Sequence, residues 1–355
     1  MDSGKVINVG VVGYGFSAKV FHIPLINCCP GMKLVSVLER SSEKSAADFP
    51  GIMVVKTIDE MLSSQILDLV VITSVNSTHY PYAMAAIKAG KNVIVEKPFT
   101  ISHTEAAELA EAARKHNVVL SVYHNRRFDS DFLTIKKLIE SKALGQVVEI
   151  ETRFDRFRNY KKNPNAWRES KDEPGSGILF DLGPHLIDQI VCLFGTPETV
   201  FAQLSNQRLI ENGPDDVFHL VLGYPKKNFT AIVGASMLAR IKPPRFRIFG
   251  TNGSFVKYGL DVQEGQLIKK VFPGHAGYGV EDESIWGTLD TDYNGLHFSG
   301  KIESSKGDYL AYYENVRDSI LGKAELLVSA EQAAVTVLII EKAFESAKTN
   351  TVVTL

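Results

Sequence analysis

Along the first third of the chain, short apolar runs recur with helical patterns between them. VINVGVVG, KLVSVLE, LDLVVITS, NVIVEKP and VVLSVY alternate from Lys5 to Val122 with segments such as HYPYAMAAIKAG and SHTEAAELAEAARKHN. Repeated βα units of this kind predict a parallel sheet. The runs are nearly continuous in Val, Ile and Leu, as strands covered on both faces require. After His124 the pattern changes. A helix from Asp131 to Ser141 and a long strand, GQVVEIETRF, lead into a polar, aromatic, Pro-containing stretch from Asp155 to Pro174. Between Glu198 and Ile268, alternating segments (DVFHLVLGY, FTAIVGASM, RFRIFG, GSFVKYGL) separated by Gly, Pro and Asn turns predict an antiparallel sheet. The Gly- and Asp-rich stretch from Pro273 to Gly300 reads as a surface excursion, and helices over Gly307 to Leu321 and Ala330 to Thr349 close the chain. The expected class is α/β, with a doubly wound parallel sheet over residues 1–124 and a second domain over 125–355.

The totals agree and remove some partners. A chain of 355 residues holds about two domains at roughly 150 residues each. Lys plus Arg number 39 against 41 Asp plus Glu, a net charge of -2, and no basic run with interleaved aromatics offers a nucleic-acid stripe. The apolar run near the start, MDSGKVINVGVVG, is too short to span a bilayer and lacks a secretory cleavage site, so no membrane is expected and a cytoplasmic location is. Cys28, Cys29 and Cys192 are too few for a disulfide framework and lack Cys-x-x-Cys spacing, so neither disulfides nor a metal site is expected.

Chemistry enters at the strand ends. In VINVGVVGYGFSAKVFH, Gly13, Gly15 and Ala18 follow the first strand and open a helix, the G-x-G-x-x-G/A arrangement of a dinucleotide loop, with Phe16 and Ser17 inside it. The first glycine allows the tight turn, the second lets a pyrophosphate reach the backbone, and the small third residue lets helix and strand pack. The second strand ends in Glu39, which suits the ribose hydroxyls of NAD. Arg40 and Ser41 follow, which suit the 2′-phosphate of NADP or else form a solvated helix cap. The cofactor is thus NADP or NAD, with the choice open. The turn with Thr73, Ser74, Asn76 and His79 lies at the carboxyl edge of the sheet, where ligands of doubly wound folds bind. Ser77 or Thr78 equally suits a helix N-cap. NVIVEKPF brings Glu96, Lys97 and Pro98 to the same edge, where Lys97 is either a catalytic cation or a surface ion pair.

Further along, GSGILFDLGPHLIDQIVCLFG sets Asp181 and His185 four residues apart, on one face if helical. The carboxylate can then orient the imidazole; the plainer alternative is a helix cap and a satisfied histidine. Asn125, Arg126 and Arg127, in the Tyr123–Arg127 segment, and Trp167 and Arg168 are candidates for contact with substrate or ribose, with ion pairs as the alternative for the arginines. Tyr160 and Asn163, with Trp167, suit a polyol, which needs hydrogen-bonding groups beside an apolar face.

GYGFSAKVFH, EKPF, SVYHNRRFDSDFLTIKKLIE and DLGPHLIDQIVCLFG together resemble the Gfo/Idh/MocA oxidoreductases, within them the branch that includes scyllo-inositol dehydrogenases. The resemblance spans essentially the whole chain. It implies a Rossmann domain followed by an α/β domain with a large, mainly antiparallel sheet, and a homodimer or homotetramer formed through that sheet. It also implies nicotinamide-dependent oxidation of a polyol, inositol or sugar-like hydroxyl, or reduction of the matching ketone. Lys97 matches the family's Glu-Lys-Pro lysine, and Asp181 and His185 its Asp-x-x-x-His pair; Lys97 and His185 would then also touch substrate. Glu39 departs from the NADP-using members, which carry a small or hydroxyl residue there. Two other classes stay open: a nucleotide-binding regulator without catalysis, and an NAD-dependent glycosidase.

Overall fold

A computed structural model describes residues 5–161, 163 and 167–355, so the polar stretch expected from Asp155 to Pro174 falls partly outside the described residues. The chain divides into two compact units. The first comprises the chain up to Phe128 together with Val262–Gly279 and Asp308–Ala334; the second comprises Asp129–Asp261, Val280–Gly307 and Val335–Leu355.

In the first unit six parallel strands, β1 (Ile7–Val12), β2 (Met32–Leu38), β3 (Met53–Val55), β4 (Leu69–Ile72), β5 (Asn92–Val95) and β6 (Leu120–Val122), stand in the order β3-β2-β1-β4-β5-β6. Every residue of β4 is buried, as an apolar run covered on both faces must be. The connecting helices are α1 (Ile23–Cys28), α2 (Lys44–Asp48), α3 (Ile58–Leu62), α4 (His79–Lys88) and α5 (His103–His116). Local sequence sets their ends. For α5, Ser102 Oγ accepts from Glu105 N and Glu105 Oε2 accepts from Ile101 N, while Asn117 closes the helix at φ 52°. Val12 is in register with both Leu38 and Ile72. The strand order reverses between β1 and β4, so their carboxyl ends frame the crevice where doubly wound sheets bind ligands.

The second unit is built on nine strands: β7 (Val147–Arg153), β8 (Thr199–Ser205), β9 (Val217–Tyr224), β10 (Phe229–Ser236), β11 (Phe246–Gly250), β12 (Gly253–Lys257), β13 (Gly287–Tyr293), β14 (Leu296–Ile302) and β15 (Val353–Thr354). Only β7 and β10 pair in parallel; the other neighbours are antiparallel. Strand β9 shows why one face is covered. Phe218, Leu220, Leu222 and Tyr224 are buried while His219 and Val221 are exposed, the period of two in VFHLVLGY. The buried set packs with Ile135 of α6 (Ser130–Glu140) and with Leu186, Ile187 and Ile190 of α7 (Ile178–Phe194). The further α-helices among the described residues are α8 (Gln263–Ile268) and α9 (Leu310–Ile320) in the first unit, and α10 (Ala330–Thr349), whose Ile339, Ile340 and Ala343 join the second unit's core.

One expectation is corrected. The stretch from Pro273 to Gly300 is not wholly a surface excursion, because β13 and β14 form a hairpin within it, paired from Gly287 with Ile302 to Tyr293 with Leu296. Its turn is Asn294–Gly295, both at positive φ, a two-residue hairpin signal that the polar composition obscured.

Candidate active site

The glycine loop begins directly after β1. Gly13 adopts φ +93°, and a Cβ there would lie 3.2 Å from Thr73 Oγ1, so glycine is required both for the turn and for the approach to the β4 turn. A Cβ on Gly15 would meet nothing within 4 Å. The loop backbone is therefore open at the position where a pyrophosphate needs to come close, and Ala18, fully buried, supplies the small third position. These residues fit a dinucleotide. Phe16 is exposed, whereas the Ser17 hydroxyl is engaged, donating to the Glu96 carboxylate.

At the end of β2 the side chains separate into inner and outer sets. Glu39 is buried: it accepts from the Ser42 hydroxyl, from Lys44 N at 3.1 Å and from Ser45 N at 2.7 Å. Burial opposes its charge, but these donors hold the carboxyl below the usual range. Glu39 thus anchors the start of α2, while Arg40 and Ser41 are exposed.

At the β4 turn, Thr73 Oγ1 donates to Val12 O at 2.9 Å, Ser74 Oγ meets Thr78 Oγ1 at 2.6 Å, and Asn76 is buried. His79 is also buried, with Nδ1 2.8 Å from Pro98 O and Nε2 3.2 Å from Ser74 O. Burial pushes its imidazole below the ordinary value. His79 therefore joins the β4 turn to the β5 terminus from behind.

That terminus carries Glu96, Lys97 and Pro98, with a cis Lys97–Pro98 peptide. Lys97 is half-buried. Burial would raise the Glu96 carboxyl, yet hydrogen bonds from His22 and Ser17 and the charge of Lys97 bring it to about 2. Beyond β6, Asn125, Arg126 and Arg127 are buried. Arg126 Nη2 reaches Glu264 Oε2 at 2.9 Å; Arg127 Nη1 donates to Leu327 O at 2.8 Å and to Gln332 Oε1 at 2.7 Å. All of these partners lie within the first unit.

In the second unit, α7 starts at Gly177, whose φ is +94° and where a Cβ would fall 2.1 Å from Asp215 Oδ1. Asp215 accepts from Leu179 N at 2.8 Å through Oδ2, and its carbonyl from Ile178 N at 2.9 Å, so it caps the helix. Asp181 lies in the first turn of α7 and buried His185 one turn later on the same face. The Asp181 carboxylate faces Arg156 Nη1 and Arg168 Nε, each at 3.7 Å, and the Arg168 guanidinium lies over the Trp167 ring at 4.3 Å. Trp167, Arg168 and Asp181 are thus brought together, with Arg156 as an unanticipated fourth member. Tyr160 and Asn163 are exposed, and the Tyr160 carbonyl accepts from Arg208. Among the described residues no group of three His, Cys, Asp or Glu is arranged to hold a metal, and no helix is long and apolar enough to cross a membrane.

Residues 7–124 match the oxidoreductase family with an NAD-binding Rossmann fold, and residues 136–355 match that family's C-terminal alpha/beta domain. The chain belongs to the Gfo/Idh/MocA family of oxidoreductases. As a Gfo/Idh/MocA protein it is an enzyme of a family that acts on CH–OH groups. It is 40% identical to the uncharacterized oxidoreductase YdgJ of Escherichia coli (strain K12), over 96% of each chain. It is 38% identical to the scyllo-inositol 2-dehydrogenase (NADP(+)) IolW of Bacillus subtilis (strain 168), over 96% of this chain and 94% of that one. The solved structure of yvaA from Bacillus subtilis superposes with a TM-score of 0.94 at 37% identity, covering 99% of each chain.

Sequence reasoning overlooked Asp215, which carries no motif. Its carboxyl is pushed up to about 6, first by burial and then by the neighbouring Asp216 charge, against the backbone N–H groups that favour the anion. The folded state therefore favours the protonated acid relative to an unfolded Asp near about 3.9. This group's contribution to stability is full below about pH 4 and is lost as pH rises through about 6. Asp215→Asn keeps an acceptor for Leu179 N–H without the charge. Denaturant unfolding between pH 4 and 8 should show a shallower loss of stability in the variant, by on the order of 1–3 kcal/mol across that window; superimposable pH profiles would contradict the assignment.

Proposed function

We propose that this oxidoreductase moves hydride between a nicotinamide cofactor and a hydroxyl-bearing carbon of a polyol, inositol or sugar-like substrate, with NADP as the preferred cofactor. The observation that carries the reading is the β5 terminus: a half-buried lysine at the carboxyl edge of a dinucleotide-binding sheet, beside an open Gly15 loop. The 38% identity to a protein named scyllo-inositol 2-dehydrogenase supports the substrate class.

The bound cofactor supplies the hydride acceptor or donor. Lys97 hydrogen-bonds the reacting oxygen, and its charge stabilises the alkoxide character that develops as the C–H bond breaks. His185 takes the hydroxyl proton, or returns it in the reverse direction, an exchange suited to an imidazole whose unperturbed pKa is near about 6.5. Asp181 acts on substrate hydroxyls or on the imidazole with its charge balanced by Arg156 and Arg168. Trp167 offers the apolar face. The expected test is reduced-nicotinamide formation from inositols and aldoses with each cofactor. Lys97→Ala and His185→Ala should each lower kcat by roughly 100-fold or more with cofactor binding retained, and near-normal turnover in either rules out its role.

The NADP preference rests on Glu39. In an NAD enzyme an acid at this position presents its oxygens to the ribose hydroxyls; here both oxygens are occupied by the start of α2, and Arg40 and Ser41 are the exposed groups. Arg40→Ala should raise KM for NADP by about tenfold, the loss of one charge-assisted contact, and leave KM for NAD nearly unchanged. Equal effects on the two cofactors would reject the preference.

On one sheet face of the second unit Val221 of β9 and Phe249 of β11 are exposed, and the Arg247 guanidinium lies 5.1 Å from the Phe249 ring centroid. We infer a homodimer or homotetramer formed through this face. Light scattering should give a multiple of the 39.2 kDa chain mass, and Val221→Glu should reduce it; a wild-type monomer at micromolar concentration excludes this.

A further inference from the structure

Beside the glycine loop, within the first unit, runs a hydrogen-bond chain that none of the roles above uses. Tyr313 Oη lies 2.6 Å from His22 Nδ1, and His22 Nε2 lies 3.0 Å from Glu96 Oε1. The Ser17 hydroxyl donates to the same Glu96 oxygen, while the other, Oε2, accepts from the Lys97 main-chain N at 2.9 Å. His22 and Tyr313 are fully buried, and the imidazole packs 4.3 Å from the Tyr123 ring. The turn that delivers His22, Ala18–His22, is π-helical, a rare form that is frequent at functional sites.

The direction of the chain follows from its end groups. The Glu96 carboxylate only accepts, so His22 Nε2 carries a hydrogen. Burial holds the Tyr313 phenol protonated, well above its ordinary value. With the hydrogen on Nε2 and a neutral ring, Nδ1 accepts from the Tyr313 hydroxyl, its hydrogen-bond neighbour among the described residues. In this tautomer donation runs from Tyr313 through the imidazole to Glu96.

We propose that Tyr313 and His22 are positioning residues that fix the plane of the Glu96 carboxylate and thereby tie the dinucleotide loop, through Ser17, to the main chain of Lys97. The proposal rests on the reading that this loop binds the cofactor. A carboxylate held only by Ser17 and by its own neighbour's N–H can turn about its last bond. The imidazole, locked from behind by Tyr313, removes that freedom. Cofactor affinity then depends on Tyr313, although this tyrosine is not in the loop.

The test is a double-mutant cycle in cofactor Kd, read from NADPH fluorescence without turnover. Tyr313→Phe should weaken binding by about fivefold, one lost buried hydrogen bond, and Glu96→Gln by about tenfold or more. The double variant should bind no more weakly than Glu96→Gln alone, because Tyr313 acts through that carboxylate. Should Glu96→Gln fail to fold, Ser17→Ala replaces it, and Tyr313→Phe should again add nothing. ¹⁵N-histidine spectra should show His22 protonated at Nε2, with Nδ1 losing its hydrogen bond in Tyr313→Phe. Effects that multiply, an unchanged Kd in Tyr313→Phe, or an Nδ1–H tautomer would overturn the proposal while leaving the dinucleotide reading intact. Failure of the wild-type protein to bind either NADPH or NADH would instead refute that reading.

Discussion

A carboxylate withdrawn from water must find donors nearby or give up its charge. Glu96 meets this constraint with Ser17, His22 and the Lys97 main chain. Those three donors come from the glycine loop, from the π turn that follows it, and from the strand end itself. The requirement to satisfy one anion therefore fixes the relative places of the loop and of the lysine. His79 adds to the arrangement, its ring lying between the Ser74 and Pro98 carbonyls with one ring nitrogen donating in the neutral form that burial favours. Open space beside Gly15 goes with crowding at Gly13 and with the Ser17–Glu96 hydrogen bond in the same loop.

The second unit solves a similar problem at a helix start. The first N–H groups of an α-helix lack internal partners, and those of α7 are met by Asp215 rather than by a residue of the preceding turn. Gly177 is dictated by this choice, since any side chain there would collide with the capping carboxylate. Asp181 and His185 inherit their direction from that cap and from Leu186, Ile187 and Ile190, which bind the far side of the helix to the sheet. Arg156 and Arg168 leave Asp181 in a cationic setting.

Periodicity revealed much of this fold because covered parallel strands and half-covered antiparallel strands leave different marks, as NVIV and VFHLVLGY do. The β13–β14 hairpin leaves a weak strand pattern because β14 is largely exposed, Leu296 and Phe298 included, so no alternation of buried and polar positions marks that strand beside the Asn294–Gly295 turn. Lys97 at the end of β5 and Asp181 and His185 on one face of α7 occupy the strand-end and helix positions that the sequence pattern assigns to them. Tyr313 and Asp215 carry no such pattern. Each lies far along the chain from the group it serves, 291 residues in the case of Tyr313 and His22, and no local pattern records a contact that only the tertiary fold creates.

Glu39 shows why residue type at a motif position is insufficient. An acid at the end of β2 reads as a ribose ligand only while its oxygens are available, and a carboxylate offers about four acceptor directions. Three of them are used by Ser42, Lys44 and Ser45, which also keep the group anionic and directed toward α2. Its negative charge is thereby partly neutralised by the N-terminal dipole of that helix segment, which lowers the repulsion a 2′-phosphate would meet beside Arg40. Read as a letter, Glu39 argues for NAD; with its hydrogen bonds counted, that argument weakens.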